Sequence, residues 1–375
     1  MDNQLRILFF GTYFRFMGKE TYISDEIESV VNNYPNIKYL VYTVGPYNKS
    51  NSIIRYSKNI LWVRRKELRN PKVFLRFLKE IITIFIKFKP DIVHSTYVIE
   101  SIIMGFFGKL FKVPTIFHSR GMDFNFYPFI KIRSNILARI ACKLNNIVIT
   151  VSKVMKLDSI RLNVPQKKVI SLYDGIDLLL FNPVNSNFKN NYQKLEILNV
   201  GRFVPIKCQE MIIETCKTLS EKGYNFHLTL TGYGPLENDL RNLIKRYQLE
   251  NQITITGYID HDKIPEIMKK VDIYIQPSLT EGMPISVLEA MSMKLPVVLT
   301  KVGGMPELIK NNDGGILIEI NDKEQLYNAI LEYYDNPKKI KTDGERNREF
   351  IIKNFNWIVH ANRLNNIYLN LKKHD

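Results

Sequence analysis

The chain has 375 residues, 45% apolar and 24% charged, enough folded-type sequence for two domains with separate cores. Its net charge of +16 suits an anionic membrane surface or nucleic acid, but no helix-turn-helix, RRM or zinc-finger pattern supports the latter. Cys142, Cys208 and Cys216 are widely spaced and read as thiols of a reducing compartment, and no uninterrupted apolar run reaches the roughly 18–20 residues of a spanning helix.

In chain order, short apolar runs alternate with longer helical patterns. MDNQLRILFF enters a strand-like run at once, which reads as no secretory signal and a cytoplasmic protein. Strands are expected at RILFF (from Arg6), YLVYTV (Tyr39), DIVHS (Asp91), TIFHS (Thr115) and NIVITVS (Asn146). A second series follows at EILNVG (Glu196), HLTLTG (His227), ITITG (Ile253), IYIQPS (Ile273) and PVVLT (Pro296). Consecutive rather than alternating apolar positions indicate parallel strands buried on both faces. Strand–helix repetition predicts doubly wound α/β sheets.

The series breaks once, at the Asn-rich, proline-containing stretch Phe181 to Leu195. The expected organisation is therefore a first Rossmann-like domain over 1–182, a linker over 183–194 and a second Rossmann-like domain over 195–354. The tail repeats apolar residues at 357, 361, 364, 368 and 371, predicting an amphipathic helix over 355–375 that packs back on the first domain.

Between Lys49 and Lys89 twelve Lys/Arg face two Glu, with aromatic residues interleaved. This stretch reads as a surface for anionic lipid, possible at about 1 kcal/mol per basic residue, or as ordinary solvated charge.

EGMPISVLEAMSMKLPVV, from Glu281, carries the most chemistry. Gly282 allows a sharp turn, Pro284 sets the first helical turn, and Glu281 and Glu289 flank the helix start. Free N–H groups attract phosphate and carboxylates accept from sugar hydroxyls, which points to a nucleotide-sugar. In NVGRFVPIKC, Arg202 and Lys207 follow a strand end and suit phosphate oxygens. TGYGPLE lacks the third glycine and the later acidic residue of a dinucleotide fingerprint, so it reads as a tight turn. In the first half, Gly18 sits in a loop after the first strand, and His118 ends a strand before SRGMD. The six histidines form no metal-ligand spacing.

Together NVGRFVPIKC, LTGYGPLENDL, ITGYIDHDKIPEIMKKVDIYIQPS, EGMPISVLEAMSMKLPVV and TKVGGMPELI resemble retaining glycosyltransferases of family 4, with the GT-B architecture of two Rossmann-like domains facing a cleft. The first half matches more loosely, through the glycine loop, FHSRGMD, TVSK and YDGIDLLLF. The resemblance implies Arg202 and Lys207 on the donor diphosphate and Glu289 on the ribose. It also implies Glu281 and the backbone of Gly282, Met283, Pro284 and Ile285 facing the transferred sugar. Tyr258 would lie beside the base, His118 near the sugar, and Gly18 near the phosphates. Two departures are Met17–Gly18, where the family often has paired glycines, and Asp174, where it often has Asn.

The activity implied is metal-independent hexosyl transfer from a nucleoside-diphosphate donor, with UDP as the default, to a glycan or lipid-linked acceptor of cell-surface polysaccharide biosynthesis. A sugar phosphorylase or epimerase shares the architecture. A non-catalytic basic membrane or nucleic-acid binder accounts for the charge but not for the ordered motifs.

Overall fold

The computed structural model describes residues 4–12, 19–44, 56–57, 60–65, 71–121, 132–183, 194–309 and 313–373. The chain divides into two compact units, Met1–Gly175 with Trp357–Asp375, and Ile176–Asn356.

The first unit holds β1 (Leu5–Thr12), β2 (Ile37–Val44), β3 (Tyr56–Ser57), β4 (Ile60–Arg65), β5 (Ile92–Thr96), β6 (Thr115–Ser119), β7 (Ile147–Thr150) and β8 (Val169–Ser171). Between them run α1 (Lys19–Asn33), α2 (Pro71–Lys87), α3 (Val98–Phe111), α4 (Ile132–Leu144) and α5 (Lys153–Arg161). The sheet order is β3-β4-β2-β1-β5-β6-β7-β8, parallel except for the β3–β4 pair. Ile7, Leu8, Phe9 and Phe10 are all buried, as a strand covered on both faces must be. Ile60–Arg65 lies inside the stretch read as a basic surface, yet it pairs with β2. Its apolar run was hidden among flanking charges. The antiparallel β3, the short β8 and β14 below are likewise strands that the apolar runs did not show.

The second unit contains β9 (Leu195–Val200), β10 (Phe226–Thr231), β11 (Ile253–Gly257), β12 (Ile273–Gln276), β13 (Val297–Thr300) and β14 (Gly315–Ile318). Its order is β11-β10-β9-β12-β13-β14, parallel throughout. Helices α6 (Gln209–Glu221), α7 (Glu237–Arg246), α8 (Ile264–Met268), α9 (Ile285–Ser292), α10 (Lys323–Asp335) and α11 (Pro337–Asn354) complete it. Strand order reverses between β9 and β12, which makes the carboxyl ends there the natural ligand position.

The boundary expected near 182 shifts. Residues 176–183 belong to the second unit, because Phe181 is fully buried there and its carbonyl accepts from Arg348 Nη1 at 2.7 Å and Ser292 Oγ at 2.9 Å. Leu195 is buried in β9 rather than part of a linker, and 184–193 lie outside the described residues. The last helix, α12 (Trp357–Lys372), belongs to the first unit, where Ala361, Leu364 and Tyr368 join the core of β1, β2 and β5. These are three of the five periodic positions. Among the described residues no helix is long and apolar enough to cross a membrane.

Candidate functional site

Three loops leave the carboxyl ends of β9, β10 and β11 and lock together through backbone contacts. Gly201 N donates to Thr231 O at 2.9 Å, Phe203 N to Tyr233 O at 2.9 Å, and Gly232 N to Gly257 O at 3.0 Å. A Cβ on Gly232 would lie 1.9 Å from Gly201 O, and one on Gly234 2.3 Å from Phe203 O. The glycines of TGYGPLE therefore exist for close loop packing, in line with the tight-turn reading. Gln209, nearly fully buried, donates to Arg202 O at 3.1 Å and steadies the same loop. The Arg202 side chain is exposed and makes no ion pair among the described residues.

Lys207 follows in a short 3-10 turn. Its Nζ sits 2.5 Å from Glu281 Oε1, which also accepts from Gln276 Nε2 at 3.1 Å and Ser278 Oγ at 2.7 Å. All three donors converge on one oxygen, and Oε2 has no hydrogen-bond partner among the described residues. Gly304 N donates to Gly282 O at 2.8 Å. Gly303, at φ +51°, lies so close that a Cβ would stand 1.7 Å from Glu281 O. Pro284 caps α9 with extended backbone, so Ile285 rather than Pro284 opens the helix.

Glu289 is buried on α9, and its Oε1 stands 2.6 Å from His261 Nε2. The His261 ring packs on Phe181, with centroids 5.2 Å apart. Ser286, on the same helix face, lies 2.9 Å from the Tyr274 hydroxyl, which is also 3.1 Å from Val200 O. Met283 is buried, while Tyr258 is 57% exposed and packs edge-on against Tyr233. The structure thus gathers Arg202, Lys207, Glu281, Gly282, Met283, Pro284, Ile285 and Glu289 at one end of one sheet. His261, Gln276, Ser278, Tyr274 and Gly303 join them; they lie inside the quoted motifs, but were not among the residues expected at the site.

Residues 184–350 match the family model for glycosyl transferases group 1, and residues 38–179 match that for glycosyltransferase family 4. The chain belongs to glycosyltransferase family 4. Its fold is GT-B, similar to sucrose-phosphate synthase of Thermosynechococcus elongatus at a TM-score of 0.85, covering 99% of this chain and 100% of that one at 17% identity. Anabaena HepE in complex with UDP-glucose is similar at a TM-score of 0.80, with 18% identity over 98% and 100% of the two chains. In sequence, the amylovoran biosynthesis glycosyltransferase AmsK of Erwinia amylovora is 32% identical over 50% of this chain and 47% of its own. An Escherichia coli UDP-Gal:alpha-D-GlcNAc-diphosphoundecaprenol alpha-1,3-galactosyltransferase is 29% identical over 56% of each. The match spans about half the length of these curated relatives. An uncharacterized glycosyltransferase of Methanocaldococcus jannaschii is 26% identical over 94% of this chain and 95% of its own.

In the first unit of this family 4 glycosyltransferase, Gly18 lies outside the described residues. His118 is wholly buried on β6, one residue before the carboxyl end of that strand. Its Nδ1 lies 3.1 Å from His94 Nε2 and 3.3 Å from Arg120 Nη2. Arg120 also pairs with Glu26 and, at 2.8 Å, with Asp174 Oδ1, which gives the aspartate of YDGID a partner that a neutral asparagine would not match. His360 Nδ1 is 2.7 Å from Tyr173 O. Donor atoms of Glu26, His94 and His118 lie within 4.8 Å of one another, a set that could in principle ligate a metal. The guanidinium of Arg120, always charged, stands among them and opposes a divalent cation. Polar residues on buried strands and on α1 and α12 were invisible as a group because they are distant in sequence.

Burial lowers His118 and His360 from 6.5 to about 4. Depressed histidines stabilise the fold fully above 6.5, and that contribution is lost as pH falls towards about 4, because only the unfolded chain takes up the protons. The urea midpoint of the first unit is expected to drop over this window. A midpoint that does not move would mean that the rings are charged in the native state.

Proposed function

We propose that this glycosyltransferase moves a hexose from a nucleoside-diphosphate donor, by default a UDP-sugar, to a glycan or lipid-linked acceptor of cell-surface polysaccharide biosynthesis, with retention and without a metal. The observation that carries the reading is the junction of Lys207 with Glu281 beside the start of α9, with exposed Arg202 on the neighbouring loop. HepE was solved with UDP and with UDP-glucose, and the galactosyltransferase relative is named for a UDP-Gal donor and a diphosphoundecaprenol-linked acceptor.

In this reading Arg202, Lys207 and the N–H groups at the start of α9 hold the diphosphate. Charge grows on it as the anomeric C–O bond breaks, and these fixed donors stabilise that charge. Glu281 Oε1 is saturated by protein donors, so Oε2 is left to accept from a hydroxyl of the sugar. Glu289, held by His261, accepts from the ribose, and Tyr258 flanks the base. Gly18 would approach the phosphates and His118 the sugar. No carboxylate is assigned as covalent nucleophile. The acceptor hydroxyl attacks from the face the diphosphate leaves, and a phosphate oxygen takes its proton.

A thermal-shift screen tests the reading, since a ligand bound only to the native state raises apparent stability. UDP-sugars are expected to stabilise the protein. No response to UDP-, GDP- or ADP-sugars would overturn the assignment, and turnover requiring inorganic phosphate would favour a phosphorylase.

We also propose a lipid-facing surface on the first unit. Helices α2 and α3 pack through Phe85, Phe107 and Phe111, yet expose Leu75, Ile82 and Ile86, and Ile99, Phe106 and Leu110. Exposed Arg76, Lys79, Lys87 and Lys109 accompany them. Part of the Lys49–Lys89 stretch lies outside the described residues. Apolar side chains rimmed by cations suit an anionic leaflet and localise the protein peripherally at a membrane. Co-sedimentation with phosphatidylglycerol vesicles that weakens with salt is expected. Equal binding to phosphatidylcholine vesicles, or preference for DNA, would overturn it.

A further inference from the structure

Four side chains of the first unit form one ordered chain of hydrogen bonds. The Tyr39 hydroxyl lies 3.2 Å from the Tyr368 hydroxyl, which is 2.7 Å from His94 Nδ1. His94 Nε2 is 3.1 Å from His118 Nδ1, the two rings lying within 21° of parallel. All four residues are at most 1% exposed. They come from β2, α12, β5 and β6, so the last helix supplies one link.

Arg120 sets the direction. A guanidinium only donates, and its Nη2 stands 3.3 Å from His118 Nδ1, so that nitrogen is an acceptor. His94 Nε2 then carries a proton and donates to the same Nδ1. His94 Nδ1 is bare and accepts from Tyr368, whose oxygen accepts from Tyr39. Each role follows from the one before it. The remaining proton of His118 sits on Nε2, a buried atom with no hydrogen-bond partner among the described residues. Such a donor is costly to leave unpaired, and it lies one residue from the carboxyl end of β6, the end where open α/β sheets bind ligands.

We propose that His94 and Tyr368 are positioning residues that hold His118 as a neutral imidazole protonated on Nε2, poised to donate to an oxygen of a bound ligand. Burial lowers both histidines and raises both tyrosines, so the rings stay neutral and the phenols keep their protons. The charged and titratable groups around the pair are Arg120, Glu26, Asp174 and His360.

The ring assignment is independent of the transferase reading; only the turnover measurement rests on it. Long-range proton–nitrogen spectra of the full chain with isotope-labelled histidine are expected to show His94 and His118 neutral and protonated on Nε2 at about pH 6. Tyr368→Phe is expected to shift the unprotonated His94 Nδ1 from the position of a hydrogen-bonded acceptor to that of a nitrogen without a hydrogen bond. A proton on His118 Nδ1, or a His94 signal that ignores Tyr368→Phe, overturns the proposal whether or not the wild type transfers sugar. In turnover, the amide nitrogen of His118→Gln reaches the Nε2 position and that of His118→Asn the Nδ1 position. The Gln variant is expected to retain about tenfold more activity than the Asn variant, and equal losses would overturn the donor role.

Discussion

Lys207→Ala is expected to lower turnover at saturating donor by about 100- to 1,000-fold, the usual loss on deleting one preorganised group aimed at developing transition-state charge. The structure makes this substitution clean. Glu281 keeps Gln276 and Ser278 as donors when Lys207 is gone, so the carboxylate stays in place and the thermal midpoint should change little. Arg202 is exposed and has no ion-pair partner among the described residues, and Arg202→Ala is expected to act mainly on donor affinity, by about 10- to 100-fold for the loss of a charged hydrogen bond. Steady-state kinetics with the donor identified by thermal shift separates the two effects. Turnover and KM within about threefold of wild type for both variants would remove the phosphate assignment.

Gly303→Ala is expected to destabilise the second unit by about 3 kcal/mol or more and to abolish transfer by the folded fraction. Gly303 has φ +51°, and an added Cβ would meet the Glu281 carbonyl at 1.7 Å. That oxygen is backbone, so relief requires moving Glu281 away from Lys207. Gly223 is the internal control, at φ +79° with open space around it, where alanine costs only the left-handed conformation, about 1–2 kcal/mol. Chemical denaturation of both variants decides the matter. Equal costs at 303 and 223 would mean that the loops do not pack this tightly.

The ten apolar runs that predicted strands all became strands, because a parallel strand covered on both faces needs consecutive apolar residues and little else does. The runs missed were those that satisfied the rule poorly. Ile60–Arg65 ends in two arginines, and Val169–Ser171 and Gly315–Ile318 are short. The domain boundary slipped because Phe181 precedes an Asn-rich stretch in sequence, yet is buried by contacts with Ser292 and Arg348 more than a hundred residues away.

The sequence by itself marked Arg202, Lys207, Glu281 and Glu289 as candidates, through glycine at a strand end, carboxylates around a helix start and the family resemblance, because all of these are local patterns. Tertiary structure decided what each of them touches. His261 beside Glu289, Lys207 on Glu281 and Gly303 beneath the Glu281 carbonyl come from other loops of the sheet, while Gln276 and Ser278 reach Glu281 from the end of β12 and the loop that follows it. The ordering of His118 needs Tyr39, His94, Arg120 and Tyr368, drawn from positions spread over 329 residues. Strand and helix signals are short-range and survive in one dimension. Tautomers, ion-pair partners and glycine close approaches depend on which chain segments meet, and that is fixed only when the sheets assemble.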